Sequence, residues 1–306
     1  MTAKPPLKNI GASVRARLTR IAQERKEDVQ LALTRYAVER FLYRLGQSSH
    51  RHRFVLKGAM LFSLWAPTPY RATGDLDLLG YGDAAPERIA SVFRDICMID
   101  VADDGVVFKP ETLRAEPARA EDEYSGVRAA VIAEMAGARL SIQIDVGFGD
   151  AVTPAAREID YPSLLDMPTP QLLAYPPETV VAEKFQALVA LGMLNSRMKD
   201  FFDLWAIGET FSFDGSVLAE AVRATFARRD TALPRQTPIA LTAAFAEDAA
   251  KQAQWRGFLR RTALSMAPEP FADIQTKVAA LVLPPTNALA DGSAFTGKWE
   301  PGGPWR

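Results

Sequence analysis

The residues best suited to chemistry are carboxylates. In Arg71-Ala-Thr73-Gly-Asp75-Leu-Asp77-Leu-Leu79 two aspartates stand two residues apart. On a strand, residues i and i+2 project to the same side, so Asp75 and Asp77 would point together, with Leu76 and Leu78 on the opposite face. Two carboxylates held side by side repel, and a hard divalent cation such as Mg²⁺ removes that repulsion. A third, Asp145, stands where Ile142, Ile144 and Val146 alternate with Ser141, Gln143 and Asp145, on the polar face of a predicted strand. Upstream, Lys57-Gly58 joins a strand to a helix, where backbone N–H groups favour anions and glycine lets a phosphate come close. Each signal alone is common. Asp-x-Asp recurs in surface turns, an edge-strand aspartate can simply meet solvent, and Lys-Gly is more often only a turn.

A further cluster follows in Glu183-Lys184 and in Arg197-Met-Lys199-Asp200-Phe-Phe-Asp203-Leu-Trp205. On a helix Asp200 and Asp203 share a side, and Lys199 lies one turn from Asp203. Surface ion pairs look the same in sequence. Here Phe201, Phe202, Leu204 and Trp205 make the helix so apolar that its polar residues should border a cleft.

Composition narrows the chemistry. The 306 residues carry one cysteine, Cys97, and two histidines, His50 and His52. An intrachain disulfide and a Cys-rich zinc site are excluded, and Ser-His-Asp catalysis has little material. The opening residues show no apolar signal segment, and stretches such as Ala187–Leu191 are far too short to span a bilayer, so a cytoplasmic chain with no membrane partner is expected. The formal net charge of −1 hides an asymmetry, with 13 Lys/Arg against 4 Asp/Glu in residues 1–60 and 9 against 18 in residues 61–160. A basic segment beside an acidic one suits nucleic acid or an acidic protein, though solvated helix faces produce the same pattern.

The elements that must position these residues follow from periodicity. Helices are predicted over 10–26 and 27–46, the second closed by Gly46. A short strand at 54–56, a turn at Lys57-Gly58 and a helix over 59–65 follow, ended by Pro67 and Pro69. Then come a strand at 75–79, a helix at 86–97, and successive antiparallel strands near 106–109, 112–116, 124–135 and 138–148, with a turn at Gly137. Beyond Pro162 the chain should turn helical, over 178–193, 197–209, 215–229, 239–263 and 270–282. This divides the chain into a basic helical N-terminal element (1–50), an α/β core (51–160), a helical domain completing the active site (161–283) and an unpacked, flexible tail (284–306).

Taken together, Lys57-Gly58, Arg71-x-Thr73-x-Asp75-Leu-Asp77, Ile144-Asp145-Val-x-Phe-Gly149-Asp150, Glu183-Lys184 and Arg197-x-Lys199-Asp200-x-x-Asp203-Leu resemble the AbiEii/AbiGii family of nucleotidyltransferase toxins, which includes the MenT-type enzymes. The resemblance runs from about residue 50 to 265, and the order and spacing of the set are far more specific than any one motif. It implies an α+β fold: a DNA-polymerase-β-like nucleotidyltransferase core with a mixed sheet, plus the helical N-terminal element and a helical C-terminal domain. It implies nucleotide transfer from an NTP to RNA, with the tRNA 3′ end favoured, by the toxin of a toxin–antitoxin or phage-defence system with a cognate antitoxin. Catalytic roles then fall to Asp75, Asp77, Lys184 and Asp200. Asp75, Asp77 and Asp145 would hold Mg²⁺, and Lys57, Gly58, Ser63, Arg71, Thr73, Lys199 and Asp203 would bind nucleotide. The family's small pair after the lysine is usually Gly-Gly or Gly-Ser; here Ala59 offers no hydroxyl, leaving the backbone and Ser63. The 75/77/145 pocket is expected to face Lys184 and Asp200 across a groove. The basic helices at 8–26 and 35–57, with Arg223, Arg228, Arg229, Arg256, Arg260 and Arg261, are expected to meet RNA phosphates. Two other functions fit the same residues: a protein- or self-directed nucleotidyltransferase or phosphotransferase, and a non-catalytic partner docking an antitoxin through its basic helices. A haloacid-dehalogenase-like phosphatase also uses Asp-x-Asp, but needs a Rossmann-like strand order that the pattern does not suggest.

Overall fold

Side-chain caps set the first two helices. In the computed structural model, which describes residues 9–65, 73–118, 126–262, 264 and 270–306, Asn9 accepts from the Ala12 N–H at 2.9 Å and opens α1 (Ile10–Arg25). Asp28 accepts from the Leu31 N–H at 2.8 Å and opens α2 (Val29–Gln47). The described residues form two compact units. One holds residues 9–65, 73–118, 126–149 and 158–174, the other residues 150–157, 175–262, 264 and 270–306.

In the first unit, β1 (Phe54–Lys57), α3 (Leu61–Trp65), β2 (Leu76–Gly80), α4 (Pro86–Cys97), β3 (Val107–Pro117), β4 (Gly126–Met135), β5 (Ala138–Phe148), β6 (Arg157–Asp160) and β7 (Gln171–Ala174) follow in order. They build a mixed seven-stranded sheet in the order β3-β4-β5-β2-β1-β7-β6. β2 lies centrally, antiparallel to β1 and parallel to β5. The two strands expected near 106–109 and 112–116 are one irregular strand. Pro110 has no N–H for the ladder, the register shifts between Lys109 and Arg114, and the Thr112 hydroxyl takes the Ile132 N–H at 3.0 Å. β7 breaks the helical run expected after Pro162; four residues are too few to show a period, and they add in parallel to β1.

The N-terminal helices are not a separate basic element. Tyr36, Val38, Phe41, Leu42 and Leu45 of α2 are fully buried in this unit, and Phe41 meets the α4 ring Phe93 edge-on at 5.4 Å. Arg35, Arg40 and Arg44 are buried as well, and each is paired. Arg35 meets Glu27 at 3.2 Å, Arg40 meets Glu39, and Arg44 forks onto Asp104 at 2.7 and 3.3 Å. Glu39 also accepts from Ser163 and the Leu164 N–H, while burial outweighs these partners and raises its carboxyl above the ordinary value. The basic residues of α2 thus read as internal ion pairs, while Arg15, Arg20, Arg25 and Lys26 of the first helix and its cap are exposed.

The second unit carries α5 (Pro177–Leu191), α6 (Met198–Thr210), β8 (Phe213–Asp214), α7 (Gly215–Arg228), α8 (Ala243–Glu247), α9 (Ala249–Arg261), α10 (Phe271–Ala290) and β9 (Lys298–Trp299). The helix expected over 239–263 is broken, because Asp248 turns out of helical geometry and caps α9 through the Lys251 N–H at 2.9 Å. Phe201, Phe245, Trp255 and Phe271 form its aromatic core, with centroids 5.0–5.6 Å apart between Phe271 and Trp255, Phe271 and Phe201, and Phe201 and Phe245. The tail expected at 284–306 is packed. α10 runs through Pro284 and Pro285 to Ala290. Pro285 cannot donate to the Leu281 carbonyl one turn back, and the Trp305 indole N–H donates to it instead at 3.0 Å. Trp299, 3% exposed, donates to the Gly208 carbonyl at 2.8 Å, and β9 pairs with β8. Among the described residues no helix is long and apolar enough to cross a membrane.

Candidate active site

The sheet register aligns the chemistry of the first unit. Lys57 lies opposite Asp77, Asp77 opposite Asp145, Asp145 opposite Arg128, and Arg128 opposite Glu116. Cross-strand partners project to one face, so a charged row runs over β1, β2, β5, β4 and β3 with the two aspartates adjacent at its centre. Asp75, exposed, stands one residue before β2, and its N–H donates to the Thr73 hydroxyl at 3.2 Å.

Gly58 shapes this centre. Its φ is +70°, and a Cβ placed there would lie 2.0 Å from Asp77 Oδ2. The Asp77 carboxylate therefore lies against the main chain of the Lys57-Gly58 turn, and only glycine allows it. Ser63, on α3, hydrogen-bonds with the Tyr161 hydroxyl, which also donates to the Met60 carbonyl at 3.2 Å; burial still pushes that phenol up to about 12. Arg71 lies outside the described residues.

Asp145 is held from three directions. Arg128 Nε and Nη2 reach its two oxygens at 2.7 and 3.1 Å, and Gln143 Nε2 donates to Oδ2 at 3.1 Å. Asp77 and Asp145 are brought together by register, but among the described residues no group of three or more Asp, Glu, His or Cys side chains is gathered as a metal cage. The reading from sequence missed Arg128. The signal was there: from the Met135/Ala138 pair that closes the β4–β5 hairpin, counting seven residues outward each way reaches Arg128 and Asp145.

The second unit gathers the other cluster. Lys184, on α5, extends its ammonium to Asp200 Oδ1 at 2.6 Å and Asp203 Oδ2 at 2.8 Å, both on α6. The lysine side chain is 15% exposed and the aspartates 6% and 0%. Two buried carboxylates around one ammonium fix its position and leave a local excess of negative charge. Lys199, next to Asp200 in the chain, is exposed. Beside this cluster Arg229 meets Asp150 at 3.2 Å, Glu183 at 3.4 Å and Gln186 at 2.8 Å. Tyr175 donates to Glu183 at 3.0 Å; burial first, then the charges of Glu183 and Asp150, hold its phenol well above the ordinary value. Arg229 is thus a buried structural cation, not the phosphate contact expected of it. Arg223 is engaged by Glu220, while Arg228, Arg256, Arg260 and Arg261 are exposed.

The family model for the nucleotidyl transferase AbiEii toxin of type IV toxin–antitoxin systems matches residues 40–279. The chain belongs to the AbiEii family. Two solved structures share its fold: a candidate nucleotidyltransferase of Helicobacter pylori (TM-score 0.52, 12% identity, covering 88% of this chain and 100% of that one) and JHP933 of Helicobacter pylori (TM-score 0.52, 12% identity, 87% and 95%). No curated protein matches the chain. In this AbiEii nucleotidyltransferase, Asp75 and Asp77 offer only hard oxygen donors, a set suited to Mg²⁺ and unsuited to softer metals. The AbiEii match also spans both clusters, from the Lys57-Gly58 turn to the helices carrying Lys184, Asp200 and Asp203.

Proposed function

We propose that this AbiEii-family chain is a Mg²⁺-dependent nucleotidyltransferase toxin that moves a nucleotide from an NTP to RNA, with the 3′ end of tRNA as favoured acceptor and a cognate antitoxin as its restraint. The observation that carries the reading is the adjacency of Asp77 and Asp145 in register, with Asp75 two residues before Asp77. Asp75 and Asp77 would hold the cation. When bound, Mg²⁺ supplies charge neutralisation and orientation of the triphosphate oxygens.

The chain's own groups do the rest. The Lys57-Gly58 turn opens its main chain toward a phosphate. Lys184, kept in place by Asp200 and Asp203, neutralises charge as pyrophosphate leaves. In the transfer the acceptor hydroxyl oxygen bonds to the α-phosphorus and gives up its proton to water, while the bond from that phosphorus to the bridging oxygen breaks and pyrophosphate carries away the electron pair. Exposed Arg256, Arg260 and Arg261 at the end of α9 support an RNA acceptor, since such side chains meet phosphates without reading sequence.

The test incubates the protein with each of the four labelled NTPs in turn and bulk tRNA, with and without Mg²⁺. Label should reach RNA only with Mg²⁺ and be lost in Asp75→Ala. Label confined to protein would sink the RNA acceptor, and full transfer by Asp75→Ala would sink the metal scheme.

A further inference from the structure

We propose that Arg128 is a stopper at Asp145: its guanidinium occupies the third carboxylate and restricts the nucleotide-free protein to a single divalent cation at Asp75 and Asp77. The inference rests on the metal reading above and adds to it a residue that decides how many cations bind. Arg128 takes both carboxylate oxygens at 2.7 and 3.1 Å, and Gln143 adds a third donor to Oδ2. A carboxylate offers about four lone-pair positions, and three here are filled. A cation bridging Asp77 and Asp145 would have to displace a two-point, charge-assisted contact, the strongest kind a carboxylate makes with a side chain.

The surroundings fit a removable stopper better than a structural pair. The Arg128 and Asp145 side chains are 32% and 30% exposed, unlike the buried Arg44–Asp104 pair at 7% and 4%. Glu116 lies opposite Arg128 on β3, a second acidic neighbour toward which a displaced guanidinium can lean. The guanidinium fork matches phosphate as well as carboxylate. An arriving triphosphate can therefore draw Arg128 off Asp145 and free that carboxylate for a second cation.

Mn²⁺, an oxygen-seeking stand-in for Mg²⁺, is titrated into the nucleotide-free full chain, and the loss of its free paramagnetic signal is read. Wild type should take one ion. Arg128→Gln should take a second ion, or bind roughly ten- to hundredfold tighter, the range that follows from losing a charged hydrogen-bonded contact. Arg128→Lys keeps the charge but loses the fork, and should fall between. Binding by Arg128→Gln that matches wild type overturns the stopper, as does a gain in the glutamine variant with none in the lysine variant, which is a bare charge effect. Two ions bound by the nucleotide-free wild type overturn it too, and do so even if the Arg128 variants fail to fold. If neither wild type nor any variant binds Mn²⁺, the metal reading itself fails, a result distinct from these.

Discussion

Replacing Gly58 by alanine should damage the fold and the site through one contact. The added Cβ would lie 2.0 Å from Asp77 Oδ2, 2.7 Å from its Cγ and 2.8 Å from its Cβ, at a φ of +70°. Left-handed backbone costs a non-glycine residue about 1–2 kcal/mol. Forcing extra volume against a packed strand residue adds about 1–3 kcal/mol. The variant should lose about 2–5 kcal/mol in urea unfolding followed by far-UV circular dichroism. In an Asp77→Gly background all three of these contacts vanish. The alanine should then cost about 1–2 kcal/mol, nearly all of it backbone strain, and the cycle should show a coupling of about 1–3 kcal/mol. An equal cost of Gly58→Ala with and without the Asp77 carboxylate would refute the contact and leave φ as the whole explanation.

Lys184→Met should lose about 3–5 kcal/mol, because it strands two buried carboxylates; adding Asp200→Asn should return part of that in the same urea measurement. Asp214 caps α7 by accepting from Ser216 and Val217, and the Ser216 hydroxyl and N–H hold its carboxyl below the ordinary 3.8. Its stabilisation is present above that value and fades as pH falls below it through the lowered one. Asp214→Ala should therefore cost about 1 kcal/mol near neutral pH, with the difference from wild type closing in acid. Burial pushes the Cys97 thiol up to about 12 against the pull of Arg44, so the native protein should resist a thiol reagent at pH 8 that labels it at once in denaturant; prompt native labelling would refute this.

Sequence brought out candidate residues more readily than their partners. The alternation of period two picks out Asp75, Asp77 and Asp145 as candidates, and helical spacing puts Asp200 and Asp203 on one side, but neither shows that Lys184 sits between them. What escaped depended on register and on what an arginine meets. Arg40 and Arg44 read as basic surface and are buried beside Glu39 and Asp104, residues 1 and 60 positions away. Pro284 and Pro285 read as the end of a helix, and they are carried inside one because an indole twenty residues later supplies the donor for the Leu281 carbonyl. β6 and β7 are four residues each, too short for any period to register.

The tryptophans are distributed unevenly. Trp205, Trp255, Trp299 and Trp305 all belong to the helical unit, and Trp65 alone belongs to the sheet unit. Intrinsic fluorescence will therefore watch the helices melt and be nearly blind to the strands, whereas ultraviolet ellipticity sees both. Any gap between the two melting curves would expose a half-unfolded species, and would warn against fitting this chain with a single transition.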